Sequence, residues 1–202
     1  MHDEILDLNQ THILPIIKEF SDVFGLVGGT AIALHLGHRK SVDFDLFSID
    51  KINTQHISNK LSRYSKIEHL FFKSEDELTV LVNNVKLTFL YFPYKISFTD
   101  DFENFIKLPN LKTLAAMKAF ALSKRSKWKD YVDLYFILHI FSITDIVEIT
   151  KSIFESQFNE KFFRVQLSYF ADVDFSESVH FIDEHYVSEN EVKTFLTDIS
   201  LK

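Results

Sequence analysis

The feature that most constrains this chain is a pair of glycines followed, at a fixed distance, by a pair of aspartates. Gly28 and Gly29 precede Thr30, and after twelve further residues the chain reads Asp43-Phe44-Asp45. A Gly-Gly-hydroxyl turn supplies backbone N–H groups that can cradle a phosphate at the start of a helix. Aspartates at positions i and i+2 of a strand project from the same face. The spacing therefore predicts a phosphate cradle facing two carboxylates that can bind a divalent cation.

The charge distribution narrows the class of ligand. The 202 residues are 46% hydrophobic and carry a net charge of −7. Seven basic residues and no acidic ones lie between Lys107 and Lys129, whereas residues 151–202 contain ten acids and five bases. A local basic strip in an acidic protein suits a triphosphate or a short stretch of nucleic acid better than bulk duplex. The chain contains no cysteine, which excludes disulfides and thiolate metal sites.

The sequence gives no sign of targeting to a membrane. It begins Met1-His2-Asp3-Glu4 and lacks the basic-then-apolar pattern of a signal peptide. No uninterrupted apolar run approaches the ~20 residues of a membrane span. We therefore expect a soluble cytoplasmic protein without a membrane partner.

The hydrophobic pattern predicts an α+β (α/β) protein that starts with a mixed sheet and flanking helices. Gly37 closes the helix that follows the glycine turn, and Asn83-Asn84 forms a tight hairpin turn because asparagine tolerates positive φ. Alternation places Asp43 and Asp45 on one face of their strand. The predicted helices are 3–20 (interrupted at Pro15), 30–36 and 52–64, and the predicted strands are 24–27, 42–47, 67–72, 78–82 and 85–92.

The second half of the sequence predicts a helical bundle. We place the domain boundary between residues 105 and 106, giving a first domain of 1–105 and a helical domain of 106–202 that closes over the cleft of the first. The expected helices cover 111–123, 127–141 and 159–170, with two more starting at capping boxes. The expected N-caps are Asn110, Ser126, Ser142 and Ser188.

The glycine and aspartate motifs together suit phosphoryl chemistry, in which a protein mainly positions groups and neutralises charge. Asp43 and Asp45 can provide the hard oxygen ligands that Mg²⁺ or Mn²⁺ needs, with further oxygens from an NTP. Gly28 and Gly29 let the backbone approach the phosphates, and the Thr30 hydroxyl can add a hydrogen bond. A lone Gly-Gly is more often only a turn, and Asp-x-Asp is more often a solvated strand end. The two motifs in series are much less expected by chance.

Residues 28–47, GGTAIALHLGHRKSVDFDLF, resemble the AbiEii/AbiGii-type toxin nucleotidyltransferases of the DNA polymerase β-like superfamily. A second block, residues 114–134 (LAAMKAFALSKRSKWKDYVDL), resembles the same family's Ala-Met-Lys…Arg…Lys-Asp-x-x-Asp-Leu pattern. The resemblance implies a divalent-metal-dependent enzyme that moves a nucleotidyl group from an NTP to an acceptor hydroxyl. In several members it implies the toxin of a type IV toxin–antitoxin pair, sometimes acting on tRNA ends. A cognate antitoxin protein is then an expected partner.

The second block supplies candidate cations. On one continuous helix, Lys118, Arg125 and Lys129 share a face, and we expect Lys118 and Arg125 to contact the triphosphate. Lys129 joins them as a nucleotide-binding candidate. Asp130 and Asp133, at i and i+3, either orient a lysine or act as general base, or they form ion pairs with Lys129 or Arg125 between the helices.

Two further residues, which precede the aspartates in the sequence, complete the predicted nucleotide site. Arg39 either contacts a phosphate or pairs with Asp43 or Asp45, and Ser41 belongs to the same family-like stretch. The histidines show no metal-binding spacing, so we expect packing or capping roles for His35 and His38.

One expected group is missing. Related active transferases commonly place a third carboxylate on a later strand, and the matching position here is Thr88, on the face it shares with Lys86. Glu68, or one of Asp130 and Asp133, fills this role, or no third ligand is used. The alternatives to an active transferase are a catalytically degenerate protein that binds nucleotide or a partner, a phosphate-ester hydrolase, and a purely structural helical scaffold.

Overall fold

The computed structural model describes the backbone of all 202 residues and every side chain except that of Asp183. The chain divides into two compact units. Unit 1 consists of Met1–His35 and Ser41–Asn110, and unit 2 consists of Leu36–Lys40 and Leu111–Lys202. The domain boundary expected between residues 105 and 106 stays a prediction.

Unit 1 is built on a mixed five-stranded sheet, as the sequence predicted. The strand order is β1-β2-β5-β4-β3, in which β2 and β5 run parallel and the other neighbouring pairs run antiparallel. A separate two-stranded sheet joins β6 and β7. The elements are α1 (Leu8–Lys18), β1 (Gly25–Val27), α2 (Gly28–Leu36), β2 (Phe44–Ser48), α3 (Thr54–Tyr64), β3 (Ile67–Lys73), β4 (Glu77–Val82), β5 (Val85–Tyr91), β6 (Asp100–Phe102) and β7 (Ile106–Leu108).

The two faces of the central strands differ in burial, and this difference positions the aspartates. Phe44 and Leu46 of β2 and Phe89 of β5 are completely buried on one face. On that face Phe89 packs against Phe20, with ring centroids 5.0 Å apart. The residues between them, including Asp45 and Thr88, point the other way and are only half-buried. The polar face of β2 and β5 is therefore the face that can receive a ligand.

Unit 2 is a helical bundle, also as predicted. Helix α4 packs against α5, α6 and α7, and α8 packs against α5 and α7. The rings of Phe120 and Phe154 stack with centroids 3.9 Å apart and join α4 to α6. The helices of unit 2 are α4 (Leu111–Leu122), α5 (Trp128–Leu138), α6 (Ile143–Phe154), α7 (Glu160–Ser168) and α8 (Glu189–Ser200). Among the described residues, no helix is both long enough and apolar enough to cross a membrane.

Two expectations about local structure were wrong, and one pair of strands was not predicted. Pro15 lies inside α1 and does not interrupt it, because the apolar face of Ile13, Leu14 and Ile17 is buried and offsets the lost hydrogen bond. Ser126 is not the N-cap of α5. The cap position is Lys127, which makes no side-chain cap hydrogen bond. Strands β6 and β7 were not predicted, since each is only three residues long.

The turn and two of the other caps follow the prediction, and the cap at Asn110 stays a prediction. Asn83 and Asn84 have φ of 51° and 59° between β4 and β5, the positive values that a two-residue hairpin turn requires. Ser142 and Ser188 accept hydrogen bonds from the backbone N–H three residues on and cap α6 and α8.

Candidate functional site: a glycine turn beneath two aspartates

The glycine turn lies directly under the second aspartate. Gly28 follows β1, begins α2 and has φ of +71°, a conformation that side chains other than hydrogen disfavour. A Cβ on Gly28 would stand far closer to the Asp45 carboxylate than the 3.0 Å that real Cβ contacts respect. Only glycine therefore allows the Asp45 carboxylate to lie above the start of α2, where the first backbone N–H groups of a helix have no partner within the helix.

The two aspartates lie on the half-buried face, as the alternation predicted. Asp45 is paired with Val27 of β1 in the sheet register, and Asp43 immediately precedes β2. The Asp43 carboxylate forms an ion pair of 2.7 Å with Lys86, and their side chains are 31% and 38% exposed. Lys86 thus neutralises one of the two carboxylates, and the pair stays open to solvent.

Thr30 and Ser41 hold the backbone around the aspartates. The buried Thr30 hydroxyl hydrogen bonds to the Ser41 hydroxyl at 2.9 Å and contacts the Asp43 carbonyl oxygen. The Gln10 side-chain amide donates to the Ser41 carbonyl oxygen at 2.7 Å. These bonds tie the first turn of α2 to the chain that enters β2. Direct contacts from Thr30 and Ser41 to a nucleotide stay predictions.

The position of the expected third carboxylate is resolved by the sheet register. β5 is the parallel neighbour of β2, and Thr88 is the residue opposite Asp45. Glu68 lies on β3, three strands from β2, which at the usual strand spacing is roughly 14 Å away. The Glu68 carboxylate instead accepts from the backbone N–H of Asn84 at 3.1 Å. Glu68 is therefore excluded as the third carboxylate.

The donor set around β2 fits a hard divalent cation. Asp43 and Asp45 offer carboxylate oxygens from one face, and Mg²⁺ commonly uses one or two carboxylates and completes its shell with water and substrate phosphate. Among the described residues, no group of three or more histidine, aspartate and glutamate side chains could hold a metal by itself. A cation here would consequently complete its shell with oxygens from water or from a nucleotide.

A second charged cluster is buried in unit 2. The Lys118 ammonium lies 2.7 Å from Asp130 and 2.9 Å from Asp133. The Arg39 guanidinium donates to both oxygens of Asp133, at 2.7 and 2.9 Å. His38 shares Asp133 through a 2.8 Å hydrogen bond at Nε2. Arg39 therefore pairs with Asp133, which was neither of the two partners expected for it.

The buried carboxylates and cations of this cluster keep one another charged. Burial alone would raise the pKa of Asp133, but Arg39 and Lys118 outweigh it and hold the pKa well below its ordinary value. Burial would lower the pKa of Lys118, but Asp130 and Asp133 raise it above the ordinary value. Burial lowers the pKa of His38 against the opposing bond to Asp133. His38 is accordingly neutral near pH 7, and its buried Nδ1 has no hydrogen-bond partner among the described residues.

The continuous helix expected to carry Lys118, Arg125 and Lys129 does not form, because α4 ends at Leu122 and α5 begins at Trp128. Arg125 lies between the two helices, and Lys129 lies in the first turn of α5. Arg125 pairs with Asp130 at 3.0 Å, which is the interhelical ion pair that the sequence left open as an alternative. Lys129 pairs with Glu177 at 2.8 Å. The binding of nucleotide by Lys118, Arg125 and Lys129, and a general-base role for Asp130 or Asp133, stay predictions.

The structure thus groups the predicted residues into two sets. It also shows three partners that the sequence did not predict: Lys86 for Asp43, which follows only from the β2–β5 register, His38 for Asp133, and Glu177 for Lys129. The set in unit 1 is Gly28, Gly29, Thr30, Ser41, Asp43 and Asp45. The set in unit 2 is Arg39, Lys118, Arg125, Lys129, Asp130 and Asp133.

Solved structures show a shared fold. The chain is similar to a Helicobacter pylori protein described as a candidate nucleotidyltransferase, with 17% identity, a TM-score of 0.59, and coverage of 100% of this chain and 95% of that one. It is also similar to MenT4, a nucleotidyltransferase toxin from Mycobacterium tuberculosis, with 9% identity, a TM-score of 0.57, and coverage of 96% and 82%. The fold is therefore that of the nucleotidyltransferases.

Sequence comparison gives the family. Residues 16–198 match the model of the nucleotidyl transferase AbiEii toxin, type IV toxin–antitoxin system. An uncharacterised protein of Aquifex aeolicus is 31% identical over 134 residues, which span 63% of this chain and 65% of that protein, just under two thirds of its length. The chain belongs to the AbiEii family of nucleotidyltransferase toxins.

Proposed function

We propose that this protein transfers a nucleoside monophosphate from an NTP to a hydroxyl group at an RNA end, such as that of tRNA, or on a protein. The observation that carries the proposal is the placement of the Asp45 carboxylate over the Gly28 turn, with Asp43 on the same face. This arrangement supports the proposal, because nucleotidyl transfer needs carboxylates that can bind a metal beside backbone N–H groups that can bind phosphate.

The proposed reaction is a displacement at phosphorus. The oxygen of the acceptor hydroxyl forms a bond to the α-phosphorus and gives up its proton to water. The bond from that phosphorus to the bridging oxygen of the β-phosphate breaks, and pyrophosphate leaves. The backbone N–H groups at the start of α2 orient the phosphates, while Thr30 and Ser41 fix the backbone that carries Asp43. Asp43 and Asp45 would hold Mg²⁺ or Mn²⁺, which when bound neutralises phosphate charge. Because NTPs are supplied there, we propose that the protein works in the cytoplasm.

Transfer can be tested with labelled NTPs, Mg²⁺ or Mn²⁺ and total RNA. We expect labelled RNA from the wild type and none from Asp43→Asn or Asp45→Asn. Asp50→Asn is a matched control, because Asp50 is an exposed aspartate that follows the same strand, and it should label RNA as the wild type does. Labelling by Asp45→Asn at the wild-type rate, or no labelling of RNA or protein by the wild type, would overturn the proposal.

A second candidate function is favoured by the register of Thr88 with Asp45. A threonine where active relatives place an acid suits a protein that binds a nucleotide without turning it over. Calorimetry with NTP and Mg²⁺ separates the two functions. Binding without release of pyrophosphate supports the degenerate protein, and release of pyrophosphate supports the transferase.

Family membership also motivates a partner. We propose that a cognate antitoxin, encoded next to this protein, counters its activity. Expression of the wild type in a bacterial host should slow growth, Asp45→Asn should not, and co-expression of the neighbouring gene should restore growth. Equal growth inhibition by the wild type and Asp45→Asn would show that toxicity does not depend on this site.

A further inference from the structure

Two lysines at the start of α5 converge on one carboxylate. Residues 124–129 read Lys-Arg-Ser-Lys-Trp-Lys and contain four basic side chains. The Lys129 ammonium lies 2.8 Å from one oxygen of Glu177, and the Lys127 ammonium binds the other oxygen. Each oxygen of a single anion thus has its own cation, and a phosphodiester could use its two non-bridging oxygens in the same way.

Glu177 belongs to an arch of chain that joins α7 to α8. One foot of the arch is the backbone of Asp174. Its carbonyl oxygen accepts from the backbone N–H of Trp128 at 3.0 Å, and its N–H donates to the Ser126 carbonyl oxygen at 2.7 Å. The other foot is His180, whose carbonyl oxygen accepts from the backbone N–H of Lys40 at 2.8 Å. Glu177 lies midway between the feet, so its side chain can leave the lysines while both feet remain attached.

The segment that contains the arch is acidic. Residues 172–184 contain five acids and no lysine or arginine. Hydrogen bonds from Lys127 and Lys129 lower the pKa of Glu177 to about 2, so the carboxylate stays ionised at physiological pH. Because the ion pairs are partly exposed, another anion can displace the ionised carboxylate from the two lysines. The side chains of Lys127 and Glu177 are 37% and 40% exposed, which leaves room for such an exchange.

We propose that Lys127 and Lys129 bind the phosphodiester backbone of the acceptor RNA, and that Glu177 occupies this site in the free protein as a built-in competitor. The inference rests on the proposed function for the identity of the acceptor. The phosphate groups on this site could come from RNA or from a triphosphate. We favour RNA, because an extended row of partly exposed cations suits a linear polyanion. Glu177 then lowers the apparent affinity for RNA, because RNA has to displace the carboxylate before it can bind the two lysines.

The test measures RNA affinity without NTP or metal, so its result does not depend on transferase activity. Fluorescence anisotropy with a labelled single-stranded RNA should show that Glu177→Gln binds roughly three- to tenfold more tightly than the wild type. The matched control is Glu184→Gln, which removes the same charge from an exposed residue of the same segment and should leave the affinity unchanged. Loss of the Lys127 and Lys129 charges by substitution with alanine should weaken binding and lower the salt slope by about 1.4.

A double-mutant comparison decides whether the lysines and Glu177 act together. In the Lys127→Ala/Lys129→Ala background, Glu177→Gln should no longer raise RNA affinity. Equal gains from Glu177→Gln and Glu184→Gln, or a gain that persists without the two lysines, would reduce the effect to net charge and overturn the inference. A parallel titration with ATP distinguishes the two phosphate sources. Tighter ATP binding by Glu177→Gln without tighter RNA binding would also overturn it.

Discussion

The Asp45 carboxylate occupies the space in which a Cβ on Gly28 would have to stand. One residue sets the shape of the backbone turn and the other carries the charge, and neither can change without affecting its neighbour. The contact joins the end of β1 to the interior of β2, and it makes the glycine as much a part of the candidate metal site as the aspartate.

Gly28→Ala tests this contact. The added methyl group would displace the Asp45 carboxylate, and the positive φ would cost about 1–2 kcal/mol in addition. Because a displacement of about 1 Å can cost roughly 10²-fold in rate, we expect a loss of that order in nucleotidyl transfer. Gly37→Ala is the control, since Gly37 has a similar φ of +66°. It should lose stability and keep its transfer rate, and equal rates for the two variants would contradict the prediction.

Lys86 should compete with a divalent cation for Asp43. Its ammonium is 2.7 Å from the carboxylate, so Lys86→Met removes a positive charge from the metal site. We expect Mn²⁺ to bind roughly two- to fivefold more tightly in the absence of nucleotide, measured by calorimetry. Lys95→Met, at an exposed lysine of the same unit, should bind Mn²⁺ as the wild type does. Weaker Mn²⁺ binding by Lys86→Met would show that this lysine supports the site.

Asp133 should be the residue on which the buried cluster of unit 2 depends. Asp133→Asn leaves the buried Arg39 and Lys118 charges without half of their compensation. Breaking a buried pair in this way costs about 3–5 kcal/mol, which for a chain of this size lowers Tm by roughly 6–20 °C. The measurement is the Tm of Asp133→Asn by thermal denaturation. The control is Asp172→Asn, which changes an exposed aspartate. A change in Tm no larger than that of the control would be evidence against this role.

His38 should make stability depend on pH in the mildly acidic range. Burial lowers the pKa of His38, so the unfolded chain takes up its proton first and the stabilisation is lost as pH falls below about 6.5. The loss is at most about 1.4 kcal/mol per pH unit. Asp133 also faces the ring, but its pKa is far below the ordinary value, so its contribution persists until pH falls below about 4. Arg39 and Lys118 stay charged throughout.

The measurement is Tm between pH 7 and pH 5 for the wild type and His38→Gln. A glutamine can keep one hydrogen bond to Asp133 but does not titrate. We expect the wild type to lose more Tm than the variant over this range. Parallel curves would place the pH dependence in the other histidines.

The sequence predicted the parts of the site that depend on local periodicity. Alternation around Phe44 was enough to place Asp43 and Asp45 on one face, and positive φ at Asn83 and Asn84 follows from the tolerance of asparagine. The family-like pattern also marked Lys118, Asp130 and Asp133 as a group. These features extend over a few residues, within which the helix and strand periods hold.

The partners of the charged residues could not be predicted, because they depend on long-range register. Arg39 and Asp133 are 94 positions apart in the sequence, and nothing local favours this pairing over one with Asp43. The pairing of Lys86 with Asp43 requires knowledge that β5 is the parallel neighbour of β2. Ser126 has the right chemistry for an N-cap, but the chain at that point is held by Asp174 of the arch.

The short segment Leu36–Lys40 has a consequence for how the protein is synthesised and how it can be divided. It contributes Arg39 to unit 2, although the other residues of that unit begin only at Leu111. During translation the ion pair between Arg39 and Asp133 therefore cannot form until Asp133 has been synthesised. A fragment that ends at Asn110 would contain Arg39 without Asp133. A fragment that starts at Leu111 would leave Asp133 with Lys118 but without Arg39. The two units are compact, but no single cut separates them.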